Sequence, residues 1–340
     1  MADYNKKKRY SKYHKNDSEY DDYEDSTKSR KRTGNRSRKK KKKTRLGLTL
    51  IINLTLLLIL GCLLFFTPPG KKAIINIAGN YIYGTLDYEP TQKSDSSKKV
   101  AEAKAATVNT TNQKAVMNFL LIGVEEFKGA KNTDAMIIAT LDTKNNSLKL
   151  TSLMRDLYID IPGHGKNRLN AAYAKGGIEL LYQTIEQNFG IEIDGYCMVN
   201  FEAFEQIIDI IGGIEITLTE KEAEYLRSTN YISKKENRNV VAGKQLMNGN
   251  QVLGYCRIRK VSTGTESYDF GRTQRQRIVL QQIYNKLKSK NIVSLLMIMN
   301  KILNQVEIKT DISNETFNYC LEKAVNLKVK ELETLRIPKD

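Results

Sequence analysis

From Leu46 to Thr67 the chain reads LGLTLIINLTLLLILGCLLFFT, 22 residues without a charge. As a helix that run is about 33 Å long, enough to cross a bilayer. It divides the chain into parts expected on opposite sides of a membrane. The run is too long for a signal-peptide core, and the following FFTPPGKK offers no A-x-A cleavage site. It is therefore expected to stay as an anchor. Lys and Arg crowd its N-terminal flank, against only Lys71 and Lys72 just after it. That asymmetry sets the N-terminus in the cytoplasm and everything after Pro68 outside.

Residues 1–45 carry 18 Lys/Arg against 7 Asp/Glu, which is +11 of the chain's +17. With almost no aliphatic residue, this segment cannot bury a core and is expected to be a disordered basic tail. Next to an anchor, such a tail suits anionic inner-leaflet lipid, and no nucleic acid is expected as partner. Residues 68–113 read as a juxtamembrane segment, a short helix or hairpin from Ala73 to Tyr88, followed by a Lys/Ser/Thr/Ala-rich linker. The chain has two histidines, His14 and His164. Serine–histidine triads and His-ligated zinc thereby drop out. Walker A, G-x-S-x-G and H-E-x-x-H patterns are absent too. The four cysteines, Cys62, Cys197, Cys256 and Cys320, show no C-x-x-C spacing and sit among apolar neighbours. Buried free thiols are expected, with a Cys197–Cys256 bridge as the alternative.

From residue 114 to 340 the pattern is that of one extracytoplasmic α/β domain. NFLLIGV (118–124) reads as a buried strand, and 135–141 with 147–154 as a hairpin across DTKNN. Strands are also expected at 196–200, 214–218, near Val306 and at 333–337. Helices are expected at 178–189, 201–211, near 221–227, 292–303 and 314–327, with Asn248 and Gln251 as a capping box. Strands alternating with helices predict a layered α/β/α domain with a central mixed sheet.

The stretch YCRIRKVSTGTESYDFGRTQRQR (255–277) holds five arginines. If CRIRK is extended, Arg257 and Arg259 share a face. Behind DFG a helix is predicted, with Asp269 as cap. At about 100° per residue it places Arg272, Arg275 and Gln276 on the stripe of Val279, Ile283 and Leu287, with Arg277 turned away. Cations at a helix N-terminus oppose its dipole, so inward guanidiniums there call for an anion, and phosphate or pyrophosphate suits the geometry. Surface ion pairs are the alternative.

If the hairpin turn is centred near Asn145, Asp134 lies opposite Asp156. Opposed like charges are destabilising unless a cation or a shared proton joins them, and oxygen ligands point to Mg2+ or Mn2+. A slipped register, leaving both as ordinary strand-end residues, is the alternative.

NTDAMIIATLD, LMRDLYIDIPG, NRLNAAYAKGG, GYCMVNF, the R-x-R pair and DFGRTQRQR, in this order, resemble the LytR-CpsA-Psr family over 117–337. The resemblance implies a phosphotransferase that moves a glycopolymer, teichoic acid or capsule, from polyprenyl pyrophosphate to peptidoglycan. It implies metal-linked aspartates at Asp134 and Asp156. It implies pyrophosphate contacts from Arg155, Arg168, Arg257, Arg259, Arg272, Arg275 and Gln276. It also implies an apolar pocket for the lipid, with Leu180, Leu181, Ile185, Phe204, Ile207, Ile208 and Ile211 as candidate walls. Asn132 stands where the family usually has Arg, and the loop 260–268 is long. A polyprenyl-phosphate-binding regulator and a polyprenyl pyrophosphatase are the competing readings.

Overall fold

The computed structural model describes Thr55 and residues 67–91, 114–126, 133–326 and 332–339. The basic tail, nearly all of the uncharged run, the linker from 92 to 113, Cys62 and Asn132 lie outside the described residues. Among the described residues, no helix is long and apolar enough to cross a membrane.

The first element is α1 (Pro68–Tyr83), followed by the two-residue strand β1 (Asp87–Tyr88). Then come β2 (Val116–Val124), β3 (Ala135–Asp142) and β4 (Ser147–Leu153), and a ribbon of β5 (Tyr158–Ile161) and β6 (Gly165–Arg168). Helix α2 (Asn170–Phe189) leads to β7 (Gly195–Asn200) and α3 (Phe201–Ile210). A second ribbon pairs β8 (Ile214–Leu218) with β9 (Gly243–Met247) around α4 (Glu220–Ser228). The chain closes with α5 (Gly249–Arg257), α6 (Tyr268–Lys288), α7 (Ile292–Gln305), β10 (Lys309–Thr310), α8 (Asn314–Asn326) and β11 (Glu333–Ile337).

Seven strands form one mixed sheet in the order β1-β10-β7-β2-β3-β4-β11. Alternation along the strands assigns its two faces. Leu120, Ile122, Tyr196 and Met198 join a core cluster with Leu181 and Ile185 of α2. The intervening Leu121, Cys197 and Val199 pack on the other face, toward α6 or toward α3 and α7. Helices on both faces of a mixed sheet are the predicted layered α/β architecture.

Three expectations are corrected. The juxtamembrane stretch Ala73–Tyr88, expected as a short helix or hairpin ahead of the domain, packs into the domain itself: β1 pairs with β10, and Ile75 and Ile82 of α1 are buried. CRIRK is not a strand. The expected Asn248–Gln251 capping box is present and starts α5, whose residues from Gly249 to Cys256 are all buried, so the helix runs on through Arg257. The hairpin register is one residue off. Asp142 accepts from the N–H groups of Lys144 and Asn145, and Asn146 takes a left-handed φ of 51°. This Asx-type turn pairs Asp142 with Ser147, so the turn centre falls between Lys144 and Asn145. Half a residue at the centre moves the partner by a whole residue: the pairing, continued past its last pair Met136↔Leu153, brings Arg155 rather than Asp156 opposite Asp134.

Candidate anion and lipid site

β7, β2 and β4 run parallel to one another. Beyond their C-terminal ends, where open α/β sheets leave room for ligands, lies a cavity of ≈ 320 Å3. Its rim is charged. Glu125 follows β2, Asp134 precedes β3, Arg155 follows β4, Arg257 ends α5, and Arg259 comes two residues later. Arg272 and Gln276 project from α6. Its wall is apolar: Ile122, Ile137, Val199, Phe204, Leu253, Val279 and Leu280.

The aspartate and the four arginines of the rim are held by neighbours. Arg155 donates from Nη1 to Asp134 Oδ1 at 2.7 Å and from Nε to Asp156 Oδ2 at 3.4 Å. The guanidinium thus stands between the two carboxylates that sequence placed face to face. Asp156 also pairs with Arg168 at 3.5 Å, and neither lines the cavity; the Arg168 side chain is 61% exposed. Arg257 lies 5.0 Å over the Phe201 ring and 5.7 Å from the Tyr231 ring centre, a cation held by two aromatic faces. Asp269, in the first turn of α6, is not its N-cap, which is Ser267. Its carboxylate accepts instead from Arg259 at 2.5 Å and pairs with Arg272 Nη2 at 3.0 Å.

Arg272 is the informative member. Its side chain is 7% exposed, and its buried Nε has no hydrogen-bond partner. Burial, and then the nearby Arg155 and Arg259 cations, hold its guanidinium below the usual arginine range, against the pull of Asp269 and Asp134. A buried donor among like charges is costly unless something negative meets it.

Arg275, expected to join this group, points inward but does not reach the cavity. It is fully buried; Nε and Nη2 meet Glu222 Oε1 at 2.9 and 2.8 Å, Nη1 donates to Ile258 O and Nη2 to Val261 O. Arg277 is no solvent-facing counterpart either, since it is mostly buried against Glu266 at 3.6 Å. Of the proposed apolar walls, only Phe204 lines the cavity. Leu180, Leu181 and Ile185 belong to the core under α2, on the opposite face of the sheet. Ile208 and Ile211 are core beneath β8 and β9, and Ile207 packs in the cluster of α1 and α7. Cys256 is a free thiol on the cavity wall, pushed up to about 12 by burial; Cys197 and Cys320 are free as well.

Glu125 is the residue that sequence reading missed. It directly follows the buried strand NFLLIGV, and a carboxylate at the C-terminal end of such a strand was the available signal. Among the described residues no group of three or more His, Cys, Asp or Glu gathers as a closed metal cage. Two carboxylates on one rim suit a magnesium-type ion, which takes its remaining ligands from water and phosphate oxygens.

A family profile described as LytR_cpsA_psr matches residues 82–340. The regulatory protein MsrR of Staphylococcus aureus is 36% identical over 174 residues, half of this chain; the chain spans about half (49%) of the length of that relative. The polyisoprenyl-teichoic acid–peptidoglycan teichoic acid transferase TagU of Bacillus mycoides is 29% identical over 262 residues, covering 75% of this chain and 78% of TagU. Among solved structures, B. subtilis TagV superposes with a TM-score of 0.53 at 27% identity, covering 66% of this chain and 85% of TagV. TagT bound to LI-WTA gives 0.53 at 27% identity, covering 68% and 81%.

Proposed function

The chain belongs to the LytR_cpsA_psr family, and from that premise we propose that it is a membrane-anchored phosphotransferase. It takes a teichoic-acid or capsule-type glycopolymer from polyprenyl pyrophosphate and joins it to peptidoglycan. The observation that carries this reading is the unpartnered, buried Nε of Arg272 on the rim of an apolar-walled cavity. A ligand that satisfies both halves has an anionic head and a hydrocarbon tail, as a polyprenyl pyrophosphate does. The name of TagU supplies the donor and acceptor classes.

In this reading a hydroxyl of the acceptor sugar attacks the phosphorus that bears the glycopolymer. The new P–O bond forms as the bond to the bridging oxygen breaks, polyprenyl monophosphate leaves, and the hydroxyl proton passes to water. Arg257, Arg259 and Arg272 bind the pyrophosphate oxygens and stabilise charge on the leaving phosphate; guanidinium forks suit phosphate geometry. Gln276 donates beside them. Arg155 fixes the direction of the Asp134 carboxylate through their 2.7 Å contact. Glu125 and Asp134 would hold Mg2+ or Mn2+, replacing the expected Asp134–Asp156 pair. When bound, such an ion adds positive charge at the pyrophosphate. Asp156 and Arg168 remain outer charges that steady Arg155.

The test is the full-length protein in proteoliposomes with a polyprenyl-pyrophosphate-linked glycan and peptidoglycan fragments. Mass spectrometry is expected to find acceptor-linked glycan and polyprenyl monophosphate in equal amounts. Monophosphate with free glycan phosphate would instead make the protein a pyrophosphatase. Binding without any product would favour the regulatory reading suggested by the name of MsrR.

A further inference from the structure

Helix α1 presents one face to the domain and leaves another uncovered. Ile75, Gly79 and Ile82 are buried, and Gly79 abuts Asn318 of α8. On the other side Ile77 is 73% and Tyr81 68% exposed, four residues apart and therefore on one stripe. The neighbouring α7, which shares the core of Ile82 through Leu303, exposes Val293 and Met297 at the same spacing. Water is a poor solvent for both stripes, and exposed apolar patches of this kind mark interaction sites.

The chain itself points to the occupant. The uncharged run ends at Thr67, and Thr67 is the N-cap of α1, accepting from Gly70 N at 3.2 Å. No residue separates them. Thr67 is extended (φ −96°, ψ 149°) and Pro68 and Pro69 follow, so α1 does not continue a preceding helix. A helix that starts where an anchor leaves the hydrocarbon begins at headgroup level. Lys71 and Lys72 lie near that start, and Tyr81 carries the ring-plus-hydroxyl that favours a membrane interface.

We propose that the Ile77–Tyr81 stripe of α1, together with the exposed Val293 and Met297 of the neighbouring α7, rests in the outer headgroup layer of the bilayer. This fixes the orientation of the domain on the membrane. The proposal rests on reading Leu46–Thr67 as an anchor.

The chain contains no tryptophan, so a single one reports its surroundings alone. The full-length protein is reconstituted into phosphatidylglycerol-containing vesicles with lipids brominated near the headgroup end of the acyl chain. Two variants are compared: Tyr81→Trp, and Leu246→Trp on the exposed side of β9. Flotation with the vesicles, resistant to carbonate, establishes the anchor. The Tyr81→Trp emission is then expected to shift to the blue and lose most of its intensity to bromine, while the Leu246→Trp emission keeps a water-exposed maximum. Adding Ile77→Glu to Tyr81→Trp should reverse much of the quenching without releasing the protein. Flotation with equal, unquenched emission from both positions overturns the proposal but leaves the anchor intact. Blue-shifted but unquenched emission means that protein covers this face, which also overturns it. Failure to float removes the anchor and the proposal together.

Discussion

Arg272 and Arg275 lie three residues apart on one helix, and they should answer to different measurements. Arg272→Lys keeps the charge and loses the fork, so pyrophosphate binding should weaken roughly ten- to a hundred-fold by calorimetry, with little loss of stability. Arg275→Ala leaves Glu222 buried without its partner. It should cost about 3–5 kcal/mol in urea unfolding without any ligand. Glu125→Gln and Asp134→Asn should each abolish activation by Mg2+, while Asp156→Asn should leave it in place and lower the rate only modestly. Equal loss of metal activation in all three would restore the original aspartate pair. The helical period correctly turned Arg272, Arg275 and Gln276 inward. What period cannot tell is which partner waits there: Glu222 arrives from α4, and local sequence carries no trace of that meeting.

At the scale of elements, most strands and helices were legible because their apolar spacing is regular; β11 matches its expected span. The failures have local causes. The hairpin was found but its register was not, since register turns on one Asx contact at Asp142 rather than on the strands. Arg257 and Arg259 were read as strand neighbours because the five apolar or small residues Val252–Cys256 before them fit either period. The membership of α1 and β1 was hidden by the polar linker that follows them. A chain beginning at Lys114 therefore loses the buried Ile75 and Ile82 and the β1–β10 pairing, and should unfold at lower urea than one beginning at Thr67. Gly249 is a further weak point: a Cβ there would lie 2.1 Å from the Glu205 carbonyl oxygen of α3. Gly249→Ala should push α5 from α3, lower the melting temperature and weaken anion binding through Arg257, which α5 holds over Phe201.

On the scale of the molecule, Asp311 gathers the far edge of the sheet. Its buried carboxylate accepts from Thr91 Oγ1, Tyr182 O–H and Tyr196 N–H, joining the exit of β1, α2 and β7. Burial raises its pKa despite these donors. A carboxyl group raised on folding contributes stability below its unfolded pKa and loses it as pH climbs through the folded value. The urea midpoint should therefore fall from this source as pH rises from about 4 toward neutrality, and Asp311→Asn should flatten that slope. The other end of the sheet has a consequence in time. Arg275 fastens the carbonyls on either side of Arg259 to the helix that carries Arg272, and Asp269 ties the two rim arginines to that same helix. Under the proposed function, an arriving pyrophosphate meets rim arginines that are already tied in place among the described residues. Its capture should be a single encounter step in stopped flow, linear in concentration to saturation of the instrument and slowed by added salt and by viscosity, with no slower phase behind it.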